Sequence, residues 1–285
     1  AVAPYRSGAR VYDTQTGDPV GPYVEHAKHV TVATLSPDGK TGACFGSDRR
    51  LRAWRVADGA VVFDVLQPFQ ATSMAFARDG GALAVGASDG GIVVFNARSG
   101  DVIGRARHSD RVSVLTFAPN DNRLLSGSWD HTARVWTFDP TATAQPMQEL
   151  CSLSCGDQAV RAVAFDSSGE LAAVASGKPN GVLRVFECAS RGGKHALAEQ
   201  AVGEAFLDVA FLAGDSQLLA LTAKRAVVWN HRAQVGTIST HQPGRVDAVA
   251  FASEGTALLS AGGDERLRSW RRQDGRKLWE TDKLG

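Results

Sequence analysis

An aromatic residue closing a short apolar run returns along this chain at nearly constant spacing. The runs are SGARVY ending at Tyr12, SDRRLRAW at Trp54, SDGGIVVF at Phe95, SWDHTARVW at Trp136, PNGVLRVF at Phe186, AKRAVVW at Trp229 and GDERLRSW at Trp270. Successive aromatics lie 42, 41, 41, 50, 43 and 41 residues apart. A chain with one irregular core has no reason to keep such a period. Stacked copies of one supersecondary unit do, and roughly 40–45 residues is the length of a propeller blade.

A second signature sits upstream of each aromatic. VTVATLSPDG starts at Val30, ATSMAFARDG at Ala71, VSVLTFAPND at Val112, VRAVAFDSSG at Val160, FLDVAFLAGD at Phe206 and VDAVAFASEG at Val246. Each is an apolar run followed by a turn carrying Gly, Asp or Asn, and then by another short run such as LLSGS. Short Val- and Ala-rich segments bounded by turn residues read as strands. No stretch keeps a capped 3.6-residue period, so almost no helix is expected. One unit then holds four strands, in the third copy VSVLTF, LLSGS, TARVW and, from the second copy, the equivalent of DVIGRAR at 101–107. A lone four-stranded sheet cannot bury both faces, whereas sheets stacked around an axis can. The expected fold is all-β, a propeller of four-stranded antiparallel blades.

The full repeats fall at 26–66, 67–107, 108–150, 151–200, 201–240 and 241–285, with a partial blade at 1–25. The partial blade supplies the later strands of a unit and lacks its innermost one. Seven blades with one incomplete is the expected form. A six-bladed ring with an extra flap, or part of a double propeller, also fits the spacing.

These positions together resemble the WD-repeat β-propeller family over essentially the whole chain. The third repeat is the fullest copy, with His108, Ser126, Asp130 and Trp136. The resemblance implies that these four form a hydrogen-bonded network inside the blade. The first repeat keeps His26, Asp48 and Trp54, with Cys44 in the serine place. The sixth keeps Ser260, Asp264 and Trp270, with His241 offset by one residue. The second keeps Asp89 but has Phe95 and Gln67, the fourth has Asn180 and Phe186, and the fifth keeps Trp229 with Ala223 in the aspartate place. Blades four and five are therefore expected to be the softer ones. The TQTGDPVGPYVEH segment resembles the linker strand of bacterial WD-repeat arrays, which implies an effector domain of kinase, NTPase or protease-like kind in a longer chain.

The charge balance of +1 over 285 residues gives no bulk attraction to nucleic acid or to an anionic membrane. No apolar run reaches the length of a membrane-crossing helix. The N-terminal AVAPYRSGARVYD has no signal core. Four irregularly spaced cysteines (Cys44, Cys151, Cys155, Cys188) read as free thiols of a reducing compartment, hence a cytoplasmic protein. No cofactor or metal is expected.

Three patterns hint at chemistry. Gly86-Ala87-Ser88-Asp89-Gly90 matches G-x-S-x-G, but the repeat puts it on a strand–strand hairpin rather than a nucleophile elbow. His108, Ser126 and Asp130 have the composition of a triad, but the repeat buries them around Trp136. His26 and His29 lack further ligands at metal spacing. Arginines at 49, 50, 52, 55 and at 266, 268, 271, 272 recur at equivalent places and read as solvated strand faces.

The resemblance implies that partners dock near the channel. The contact positions are the residue before each hairpin Asp and the start of each first strand. The first set is Ser47, Ser88, Trp129, Pro179, Thr222 and Gly263, and only Trp129 is large. The second set is His29, Arg111, Arg161, Asp208, Arg245 and Asp247. An exposed aromatic flanked by arginines suits an acidic peptide. The expected function is a non-catalytic module, a sensor or scaffold that binds a protein or peptide, with self-association or control of an attached effector domain as the alternative.

Overall fold

The computed structural model describes residues 2–5, 8–13, 16–142, 146–188, 196–212, 214–222, 226–233, 235–237, 246–251, 257–262, 266–271 and 277–280. For 2–5, 226, 235–237, 246–251, 257–262, 267 and 270 it describes the backbone alone. Every element among these residues is a strand. The first sheet is β1 (Val2–Tyr5), β2 (Gly8–Tyr12) and β3 (Pro19–Glu25). Blade 1 is β4 (Val30–Leu35), β5 (Thr41–Gly46), β6 (Arg50–Arg55) and β7 (Val61–Leu66). Blade 2 is β8 (Ala71–Phe76), β9 (Ala82–Ala87), β10 (Gly91–Asn96) and β11 (Val102–Arg107). Blade 3 is β12 (Val112–Phe117), β13 (Arg123–Ser128), β14 (Thr132–Phe138) and β15 (Met147–Ser154). Blade 4 is β16 (Val160–Phe165), β17 (Leu171–Ser176), β18 (Val182–Glu187) and β19 (Ala198–Ala201). Blade 5 is β20 (Phe206–Phe211), β21 (Gln217–Thr222), β22 (Ala226–Asn230) and β23 (Val235–Thr237). Blade 6 is β24 (Val246–Phe251), β25 (Ala257–Gly262), β26 (Leu267–Arg271) and β27 (Lys277–Glu280).

Each blade is an antiparallel meander in chain order. The first sheet has three strands, and β1 packs against β4 as the second strand of a blade packs on the next blade's first strand. It thus supplies the second to fourth positions of a blade. Two repeat boundaries shift: β15 runs across 150/151, so the third unit ends after Ser154, and β19 runs across 200/201 to Ala201. The longer connection between Phe138 and Met147 carries the fourth strand of blade 3 further along the chain than the aromatic spacing suggests.

The apolar layers lie between blades rather than within them. Phe45 and Leu51 of blade 1 share a cluster with Leu83 and Phe95 of blade 2. Val94 of blade 2 packs with Leu124 and Trp136 of blade 3, and Leu125 of blade 3 with Val174 and Phe186 of blade 4. Each sheet thus needs both neighbours to remove its faces from water, as a repeat architecture requires.

The arginines at repeating positions are neutralised across neighbouring strands. Arg52 meets Asp64 at 2.6 Å, Arg134 meets Glu149 at 3.1 Å, Arg184 meets Glu199 at 2.8 Å and Arg268 meets Glu280 at 3.1 Å. Each pair joins a third strand to a fourth. These partners account for much of the two arginine clusters, since Arg50 also reaches Asp64 and Arg55 pairs with Asp58. The exposed pairs among them, such as Arg55 with Asp58, add little stability.

All four cysteines are free and buried. Burial pushes the Cys44 thiol up to about 12 and that of Cys155 up to about 11. The Cys188 thiol donates to the Cys151 sulfur, which raises Cys188 and lowers Cys151. The thiolate is the reactive form. Iodoacetamide at pH 8 is therefore expected to leave Cys44 and Cys155 unlabelled in the folded chain and to label all four cysteines after unfolding. Prompt labelling of Cys44 or Cys155 in the folded chain, read by mass spectrometry, would contradict this.

Candidate functional site

The second-to-third hairpins and the starts of the first strands lie at the same end of every blade, because the meander alternates direction. Trp129, Asp130, Arg111 and Arg161 share that end in blades 3 and 4. Two separate constellations meet there, one closed and one open.

The closed one is inside blade 3. Trp136 Nε1 donates to Ser126 Oγ at 2.8 Å. An indole N–H only donates, so the serine accepts from it and turns its own hydrogen to His108 Nε2, 2.7 Å away. His108 Nδ1 then donates to Asp130 Oδ2 at 2.8 Å. Asp130 also accepts from Thr132 Oγ1 at 2.6 Å, Ser109 N at 3.1 Å and Thr132 N at 3.1 Å. Burial works to raise this carboxyl, but the donors from Thr132, His108 and Ser109 outweigh it and hold it well below the usual carboxylate range. The imidazole is lowered by its own burial, which suits the neutral tautomer this relay requires. The His108 ring meets the Trp136 ring edge-on at 6.0 Å.

Other blades carry fragments of the relay. In blade 1, His26 Nδ1 lies 3.3 Å from Asp48 Oδ2 without forming a hydrogen bond, and His26 Nε2 is buried with no partner among the described residues, where Cys44 replaces the serine. In blade 5 the Trp229 Nε1 is buried with no acceptor among the described residues, while His231 stands edge-on to that ring at 6.3 Å. An unmatched buried donor costs about 1–3 kcal/mol. Amides of β20–β22 are therefore expected to exchange with deuterium faster than those of β12–β14. Equal protection of the two blades by mass spectrometry would contradict this. Ser260, Trp270 and Asp247 have no described side chain, and His241, Asp264, Gly263, Arg245, Arg272 and Ala223 lie outside the described residues.

The open constellation surrounds Trp129, which is 41% exposed. Its backbone N–H is tied to Arg111 O at 2.9 Å. Ser128 Oγ lies 2.9 Å from Asp110 O and 3.0 Å from Arg111 O, holding the hairpin to the start of β12. The Arg111 guanidinium carbon stands 5.3 Å from the indole centroid, and that of Arg161, from the next blade, 5.5 Å.

A repeated backbone irregularity delivers Arg161. The first two strands of blades 1–6 change register at the second residue of the first strand, between Val30 and Val32, Ala71 and Ser73, Val112 and Val114, Val160 and Ala162, Phe206 and Asp208, and Val246 and Ala248. Such a bulge re-aims the extra residue. In blades 1 to 3 that residue is a hydroxyl: Thr31, Thr72 and Ser113 reach the carbonyls of Phe45, Gly86 and Gly127, and Ser113 also that of Val160 in the next blade at 2.7 Å. In blade 4 it is Arg161, whose head group extends back over Trp129 of blade 3.

The remaining candidates are dispersed. His29 is exposed and His26 buried, so the H-x-x-H pair does not present both rings together. Asp208 lines a cleft of about 560 Å³ with Val114, Val163 and Phe211, and burial pushes its carboxyl up to about 6. Ser88 follows β9 in a tight hairpin where Asp89 Oδ1 accepts from Gly91 N at 3.0 Å, which is turn geometry rather than a strand-to-helix elbow. Ser126 is fully buried, beyond reach of a substrate. The repeat pattern does not mark Thr132, Ser109 or the bulge at Arg161 as part of either constellation. The Asp-x-Thr spacing at Asp130 and Thr132 is the one local signal that could have revealed the first.

The family WD domain, G-beta repeat, matches residues 103–137 and 232–271. The first of these spans contains the closed relay and Trp129. The chain carries WD repeats at these two spans. Among its WD-repeat relatives, the Periodic tryptophan protein 2 homolog of Neurospora crassa is 41% identical over 78 residues, 26% of this chain and 9% of that protein. The Ribosome biogenesis protein WDR12 homolog of Chlamydomonas reinhardtii is 27% identical over 263 residues, 88% of this chain and 54% of that protein. The guanine nucleotide-binding protein subunit beta of Nicotiana tabacum is 28% identical over 127 residues, 41% of this chain and 34% of that protein. The chain thus spans about half the length or less of these relatives. The crystal structure of the computationally designed Ika8 protein superposes with a TM-score of 0.75 at 20% identity, covering 97% of this chain and 81% of that one. That likeness concerns the fold.

Proposed function

We propose that this WD-repeat propeller is a non-catalytic module that binds a protein or peptide at the channel face of blades 3 and 4. The observation that carries the reading is Trp129, an exposed tryptophan at a hairpin position where the other repeats have smaller residues, approached by guanidinium groups from two blades. A rigid aromatic with a polar rim is how binding surfaces concentrate affinity. The hydroxyl and imidazole that might otherwise suggest hydrolysis are consumed by the blade's own relay. The linker-like TQTGDPVGPYVEH supports the further reading of a sensor or scaffold joined to an effector domain, as in bacterial arrays.

The test uses a photo-activatable residue in place of Asp110, beside Arg111, or of Ser99, at the opposite end of blade 2. Cross-links to a partner in a lysate are expected from position 110 and not from 99. Cross-linking from neither position, together with substrate hydrolysis by the purified chain, would refute the reading. A second reading rests on the first sheet, where β1 has a described ladder partner on one side only. An open strand edge invites pairing with another chain. Light scattering showing a strict monomer at high concentration would dismiss self-association.

A further inference from the structure

We infer that the Arg111–Trp129–Arg161 cluster is a receptor for a carboxylate side chain carried on a short acidic, apolar peptide segment. The inference rests on the docking reading above and specifies its chemistry. Two guanidinium groups approach one indole ring to within 5.3 and 5.5 Å, and neither has an ion-pair partner among the described residues. The arginines of the third strands differ, since Arg52, Arg134 and Arg184 each hold a carboxylate. Arg161 Nε is moreover buried with no acceptor among the described residues. Two cations sharing one ring, neither paired with a carboxylate among the described residues, make a site that an oxyanion completes. A carboxylate matches the planar fork of either guanidinium. The exposed face of Trp129 offers an apolar floor for the methylene stem and for a neighbouring apolar residue.

The surrounding charges select among anions. Asp110 turns one oxygen to the Arg111 backbone N–H at 2.6 Å. Asp110 and Asp157 are both exposed at this end of blades 3 and 4. They disfavour a polyanionic backbone such as a nucleic acid, whereas a single carboxylate between the two arginines avoids them. The site bridges blades 3 and 4, so a bound segment crosses from one blade to the next.

The experiment titrates the intact chain against fluorescein-labelled peptides of alternating leucine and glutamate, of leucine and glutamine, and of leucine and phosphoserine, read by anisotropy. The glutamate peptide is expected to bind below about 1 mM and at least about ten-fold more tightly than the glutamine peptide, with affinity falling as salt rises. Arg111→Gln and Arg161→Gln are each expected to weaken it about ten-fold with an unchanged melting temperature, and Arg161→Lys less, since charge is kept and the fork lost. No binding by about 1 mM, equal binding of the glutamate and glutamine peptides, or a ten-fold preference for phosphoserine would each overturn the inference. If Trp129→Ala abolishes capture of a cellular partner while both arginine variants capture it normally, the carboxylate inference falls and the docking reading stands.

Discussion

Trp136→Ala is expected to destabilise the chain by about 3–5 kcal/mol, the range for truncating a large core aromatic. The ring is 5% exposed and packs with Leu124, Phe138 and Met147 of its own blade and Val94 of blade 2. Its removal opens a cavity at an interblade layer. It also withdraws the donor to Ser126 Oγ, one link of the relay that runs through His108 to Asp130. Trp136→Phe separates the two losses. The phenylalanine variant keeps most of the packing and loses the N–H, so it is expected to cost less than alanine. Urea unfolding followed by circular dichroism measures both. An alanine variant as stable as the parent would show that the interblade layer is not what holds blade 3.

Asp130→Ala is expected to cost about 3–5 kcal/mol, because it leaves the donors of His108, Thr132 and Ser109 unmatched, at about 1–3 kcal/mol for each that stays buried. The side chain is 4% exposed and its oxygens take donors from His108, Ser109 and Thr132. Asp89, at the same repeat position in blade 2, provides the control. Its side chain is 58% exposed, its one described backbone donor is Gly91 N, and Gln67 stands where the histidine would be. Asp89→Ala is expected to change stability by less than about 1 kcal/mol. Comparable losses at the two positions would mean that the aspartate acts through its hairpin alone and that the relay adds nothing.

Asp130 and Asp89 occupy the same repeat position, and the sequence carries the position but not the difference in burial between them. The spacing of Trp54, Phe95, Trp136, Phe186 and Trp229 is set by blade length, so the strand order and the interblade core follow from it. The shared end for Arg111 and Trp129 follows as well, because a meander fixes which turns lie together. Departures from the repeat were harder to read. The connection before Met147 displaces β15, and the spacing of aromatics carries no information about it. The path of Arg161 depends on a bulge that is a matter of register, which an apolar pattern such as VRAVAF does not encode. The cap on Asp130 from Ser109 depends on a backbone N–H, which no residue type signals. Arg245 lies outside the described residues and the side chain of Asp247 is not described, so neither enters the geometry of the channel face.

The division of labour between the two tryptophans, one structural and one for docking, is the central claim. Its most direct test measures urea stability and partner cross-linking side by side in Trp129→Ala and Trp136→Ala. Trp129→Ala is expected to stay within about 1 kcal/mol of the parent and to lose the cross-link from position 110. Trp136→Ala is expected to lose several kcal/mol of stability and, where it remains folded, to keep the cross-link. Equal large losses of stability in both, or an unchanged cross-link in Trp129→Ala, would contradict the account.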